Sequence, residues 1–270
     1  MSVTFKNAPL VEMIAELRWG ETQQPVQQGG QIIFQGMGAE SDQFFMRLGG
    51  EVYQHGFQRA ERLVPPGFPV FPFQPVFRYR RDTVDDNSVL FQAGQGLFSV
   101  NAVPPYRSWD TVSPIVRVGI TALLKIRAQN DKDKPFQVVN LRYINAFGPK
   151  LTNNRPIGEF IKDVFGFSVE LPSAVSNHVK QGSKPRPQIQ LSFPLSTGAA
   201  MLFSIGEGAI KNERTFIMDM TISCEEPVAP DVEAIMTAFT EARNVIHSIF
   251  FDLTKPIHGL LEPLGDDEDA

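Results

Sequence analysis

The chain has 270 residues, 42% hydrophobic and 20% charged, with a formal net charge of −5. That balance supplies a packed core and excludes wholesale disorder, and mild acidity argues against a protein that coats nucleic acid. One cysteine and four histidines exclude a disulfide framework and any multi-cysteine zinc site.

The first element is Leu10 to Trp19 (LVEMIAELRW): Leu10, Ile14 and Leu17 fit either period, but Pro9 and Gly20 bound a short element, read as a strand. Residues Gln23 to Gln31, rich in Gln and Gly, read as a loop. Ser41 to Gln54 carries Phe44, Phe45, Leu48 and Val52 at helix spacing, with Gly49 and Gly50 weakening the pattern. The stretch PPGFPVFPFQ (65–74) comes next, and prolines at 66, 69, 72 and then 75 recur every third residue. Polyproline II has three residues per turn. Phe68 and Phe71 therefore share one edge, and Val70 and Phe73 share another. This segment reads as a connector packed on its own domain, with a preformed partner surface at Phe68, Phe71 and Phe73 as the functional alternative.

Strands are expected at Val76 to Asp82 and Val89 to Asn101, with a turn at Asp85 to Asn87. A helix follows from Asp110, read as its N-cap, to Arg127, burying Val112, Ile115, Val116, Gly119, Ile120 and Leu123. The charged run QNDKDKP (129–135) reads as a linker. Then come a strand at 136–146, a short helix at 156–165 and a loop at 173–187. Strands at 188–193, 199–205 and 214–224 follow, with 206–212 as the turn between the last two. A long amphipathic helix runs from Asp231 to Leu253, and GDDEDA closes the chain as an acidic tail.

The two halves overlay at an offset near 124, which sets Arg18 of ELRW on Arg142 of NLRY. The strands 76–82 and 90–100 then fall on 200–206 and 214–224. The expected fold is α+β, with two pseudo-duplicated strand–helix–strands–helix lobes, each an antiparallel sheet with helices on one face. The lobes would be 1–130 and 136–262, with 263–270 as the tail; one compact unit is the alternative division.

No phosphate-binding loop, nucleophile elbow or metalloprotease helix motif occurs. Gly94-Gln95-Gly96 and Gly206-Glu207-Gly208 lie among strands, so they read as hairpin or bulge glycines rather than a phosphate cradle. His247 stands alone on the last helix, and Cys224 reads as a small core residue. Nothing implies a cofactor or a metal. No stretch reaches the roughly 18 apolar residues of a membrane span, and MSVTFKNAPL lacks the layout of a signal peptide, so a cytoplasmic protein is expected.

Two constellations remain. On a strand, Arg78 and Arg80 face one side and Tyr79 and Arg81 the other, which could clamp a phosphate backbone with Tyr79 as a stacking platform. A solvated strand face is the structural alternative. Glu12, Glu16 and Arg18, with Arg142 and Asn145, would form a polar pocket between the lobes or a structural ion-pair network.

The opening NAPLVEMIAELRW, the middle VPPYRSW, the later LRYIN and the closing SIFFDLT resemble a family of uncharacterised, sporadically distributed bacterial and archaeal proteins of about this length. The resemblance implies no reaction. Patchy distribution hints at a defence or mobile-element setting. Its landmarks fall on Pro9, Glu12, Glu16, Arg18, Pro105, Tyr106, Trp109, Arg142, Tyr143 and Asn145. The leading functional expectation is a non-enzymatic binding or regulatory protein acting through protein partners, as a homo-oligomer with a dimer as the simplest case. A nucleic-acid or nucleotide binder using Arg78, Tyr79, Arg80 and Arg81 is one alternative. An enzyme with a general base in the inter-lobe pocket is the other.

Overall fold

Strict alternation decides the first strand of this computed structural model. β1 (Leu10–Arg18) buries Met13, Ala15 and Leu17 and turns Glu12, Ile14, Glu16 and Arg18 to the opposite face. The structure describes residues 4–20, 26–28, 31–33, 39–82, 88–104, 108–183 and 185–264, with backbone alone for 26–28, 31–33 and 39–41. The turn expected at 85–87 and the landmarks Pro105 and Tyr106 lie outside the described residues, as does the tail from 265.

β2 (Val26–Gln28) and β3 (Gln31–Ile33) pair as a separate ribbon where a loop was expected. The sequence Gly29-Gly30 between them is a two-residue hairpin signal. α1 (Ala39–Tyr53) buries the anticipated stripe of Phe45, Leu48 and Val52. Its Gly49 has a packing reason: a Cβ there would stand 3.2 Å from the Tyr79 ring. β4 (Arg59–Arg62) escaped the sequence reading because RAER has no apolar alternation. It is an edge strand, where charge discourages further pairing.

β5 (Pro75–Arg80) follows, and the single strand expected at 89–101 is a hairpin of β6 (Val89–Gly94) and β7 (Leu97–Ala102). Gly96 turns it at φ +70°. α2 (Trp109–Ile126) buries its predicted face, with Ile115 half-buried at its edge, but its N-cap is Ser108 rather than Asp110. Ser108 and Thr111 form a reciprocal capping box, which moves Asp110 into the first turn.

β8 (Val138–Phe147) leads to α3 (Pro149–Thr152), α4 (Ile157–Phe165) and α5 (Ser173–Ser176). β9 (Ile189–Pro194), β10 (Ala199–Ile210) and β11 (Glu213–Cys224) come next. The turn expected at 206–212 shrinks to Lys211-Asn212, both at positive φ, and Gly206 to Gly208 continue β10. Gly208 is required there, because a Cβ would meet Ile217 Cγ1 at 2.6 Å. α6 (Val232–Thr254) starts at the expected Asp231, whose side chain accepts from Glu233 and Ala234 N–H. A short 3₁₀ turn leads to α7 (His258–Leu261), and Leu264 N–H donates back to Thr4 C=O.

The fold is α+β, and nine strands form one antiparallel sheet in the order β4-β5-β6-β7-β1-β8-β11-β10-β9. The two separate sheets expected for two lobes are therefore one continuous sheet. β1 and β8 pair from Leu10↔Asn145 to Arg18↔Val138 at its centre. The expected linker at 129–135 is a run of tight turns, held by Asp131 N–H to Ala128 C=O and by Lys134 N–H to Asp131 C=O.

One face of the sheet carries the core. Phe91, Phe98, Leu141, Phe147, Met218, Met220 and Phe203 lie under the buried stripes of α1, α2, α4 and α6. The ring excess finds its use here: Phe57 stacks on Phe91 at 4.1 Å, and Phe160 meets Phe147, Phe165 and Phe216 at 5.3–5.6 Å. The other face holds the polar alternates. No described helix is long and apolar enough to cross a membrane.

Candidate functional site

Cross-strand register assembles the outer face. Ile14 stands opposite Arg142 and Asn101, and Glu16 opposite Asn140 and Ser99. Arg142 in turn stands opposite Thr221, beside Asp219. Arg142 Nε donates to Asp219 at 2.9 and 3.0 Å, and its Nη2 pairs with the same carboxylate. These bonds raise the arginine pKa above its usual value, against the opposing effect of partial burial. Arg18 pairs with Glu16 at 2.7 Å, Asn140 reaches Glu16 at 3.5 Å, and Asn101 donates to Glu12 at 2.8 Å while accepting from Ser99. A cleft of about 320 Å³ lies over Ile14, Glu16, Arg18, Asn140, Arg142 and Asp219.

Four of the five residues predicted for a polar pocket thus share one surface, on the outer face of the continuous sheet. Asn145 does not join them. It sits an odd number of residues from Arg142, so the pleat turns it to the helix face. Asp219, Asn140, Asn101 and Ser99 complete the network and were missed. Asp219 left a signal, as the one charged residue of FIMDMTI.

The arginine patch is split in the same way. Arg78 lies on the outer face, 3.6 Å from Glu61, and Arg80 lies opposite Arg59. Tyr79 is buried, and its hydroxyl donates to Phe45 C=O at 2.8 Å. Burial pushes its phenol well above the usual tyrosine range. It cannot stack on a base. Arg81 lies over the Phe57 ring at 5.0 Å.

The Pro/Phe segment follows its predicted edges without forming a continuous helix. Turns close at Pro65–Phe68 and at Phe71–Gln74, and Phe73 takes φ +61°. Val70 is buried and Phe73 lies under Arg18 at 5.4 Å, whereas Phe68 is 66% exposed and Phe71 50%. The loop is tied down by Phe73 N–H to Gln95 C=O and by Gln74, whose carbonyl passes so close to Gly94 that a Cβ would lie 1.9 Å away.

On the helix side a smaller cavity, about 90 Å³, opens where β8, α6 and the start of α2 meet the N-terminal segment. Pro9, Trp109, Tyr143 and Asn145, all singled out in the sequence, line it together with Arg243 and His247. Burial, and then Arg243, lowers the His247 pKa below its usual value. Cys224 is half-buried, and burial raises its thiol pKa, as suits an unreactive packing residue. No cluster of three or more metal-ligating side chains occurs among the described residues. Comparison of the chain with protein-family models, curated proteins and solved structures gave no match.

Proposed function

We propose that the protein is a non-enzymatic binding or regulatory protein that acts through protein partners, with a homodimer as the simplest assembly, and that Phe68 and Phe71 anchor the contact. The observation that carries this reading is two exposed rings on a loop held from beneath by Val70 and Phe73. Prolines fix φ at four positions of that loop, so part of the ordering entropy is lost before a partner arrives. Aromatic anchors of this kind dominate the energetics of interfaces. The adjoining outer face offers both signs of charge, which suits a protein surface better than a polyanion.

The alternatives are less well supported. A nucleic-acid grip loses its stacking platform to the burial of Tyr79, and Arg78 is engaged by Glu61. A general base needs a carboxylate oxygen ready for a substrate proton, yet Glu12, Glu16 and Asp219 all accept from neighbouring donors. The defence or mobile-element setting implied by the sequence resemblance belongs to the same proposal as the partner surface.

Sedimentation equilibrium and cross-linking of wild type beside the F68S/F71S double variant test the reading. A dimer, or a cross-linked partner, that the double variant loses is the expected result. A wild-type monomer with the same cross-linking pattern as the variant would overturn it.

We also infer that the halves are duplicated units about a pseudo-twofold axis through the β1–β8 pair. Its support is register. Glu16 stands opposite Asn140, 124 residues on, as expected at such an axis. The β1–β7 and β8–β11 ladders agree at the same offset: Arg18↔Leu97 corresponds to Arg142↔Thr221. The offset lapses farther out, where strand order sets β5 against β9 and β6 against β10 instead of 76–82 against 200–206.

A further inference from the structure

We propose that the helix-side cavity binds a small monocarboxylate with a short apolar tail. Asn145, on its wall, is 3% exposed, and its Nδ2 finds no acceptor among the described residues. A buried amide donor left unpaired is costly, so the position favours an incoming acceptor oxygen. Arg243 lines the same space and makes no ion pair among the described residues; its Nη1 donates only to Asn244, at 3.2 Å. Ser108 and Trp109 bring the N-terminal end of the 18-residue α2 to the rim, adding positive potential. No carboxylate lines the cavity among the described residues. His247, kept neutral by burial and by Arg243, still carries one ring N–H that can donate.

The remaining wall chooses the rest of the ligand. Phe5, Ile246 and Phe250 face the space with Trp109, so one charged head and one hydrocarbon body match it. A volume of about 90 Å³ that opens at its rim admits a short chain and excludes a long one. A phosphate would satisfy the donors and leave the apolar wall unused. A neutral amide would satisfy Asn145 and leave Arg243 without a counter-ion.

Butyrate is the probe. Titration followed by the indole resonance of Trp109 should show saturable binding with a Kd on the order of 1 mM. 1-Butanol, which has the tail without the charge, should bind at least ~10-fold more weakly. Asn145→Asp places a like charge at the donor and should abolish binding. Arg243→Gln, a partly exposed helix substitution compatible with folding, should weaken it ~10-fold. The F68S/F71S variant should bind butyrate as wild type does, which separates this site from the partner surface. No saturable response to butyrate, or a response equal in wild type and the Arg243→Gln variant, would overturn the proposal.

Discussion

β8 presents two polar regions that sit three residues apart and behave oppositely. On the outer face Arg142 is tied to Asp219 by several hydrogen bonds and lies in partial contact with solvent. On the helix face Asn145 is deeply buried and its Nδ2 bonds nothing among the described residues. The difference teaches that polarity by itself does not mark a site. A paired surface charge gains and loses little, whereas an orphaned donor in a cavity wall has everything to gain from a ligand.

Both regions rest on the aromatic core, so the largest effect should come from breaking it. Phe91 is fully buried between Phe57 and Phe98, and Phe91→Ala should cost about 3–5 kcal/mol in urea unfolding. Cleft and cavity would then lose their shape together. A loss under about 1 kcal/mol would mean that the two faces do not share one core.

The next effect sets the regions directly against each other. Arg142→Leu leaves the Asp219 carboxylate without its main partner and should destabilise by about 1 kcal/mol, discounted for solvent screening. Asp219→Asn in the same chain should restore part of that loss in a double-mutant cycle. Asn145→Leu removes a donor that has no partner, so without ligand it should cost nothing or gain about 1 kcal/mol. Equal losses from Arg142→Leu and Asn145→Leu would erase the contrast.

The smallest effect is a pH dependence at the cavity. The His247 pKa is lowered by folding, so below the usual histidine value of about 6.5 the unfolded chain binds the proton more readily. Its contribution is level above that value and turns unfavourable as pH falls through it. Thermal unfolding between neutral and mildly acidic pH should show this slope, and His247→Gln should flatten it. An unchanged slope would place the titration elsewhere.

Much of the fold was legible because each element writes its own period into the chain. The stripes of α1, α2 and α6 emerge from spacing, since a helix repeats every 3.6 residues, whereas β1 was marked by its bounds Pro9 and Gly20 and, taken as a strand, alternates every two. The same alternation predicted that Glu12, Glu16 and Arg18 share a face and that Arg78 parts from Tyr79. It also held the answer for Asn145, whose parity differs from Arg142. The edges of the Pro/Phe segment were legible for a similar reason: three-residue spacing separates Phe68 and Phe71 from Val70 and Phe73.

Composition and spacing by themselves determined an α+β chain with a phenylalanine-built core, no metal motif and a run of prolines that stiffens one loop. Tertiary structure decided which strands are neighbours. It merged two expected sheets into one, brought Asp219 to Arg142 across 77 residues, and closed a cavity from segments near residues 9, 109, 145 and 247. The physical reason is that a period fixes which way a side chain points, while non-local hydrogen bonding and burial fix what it meets.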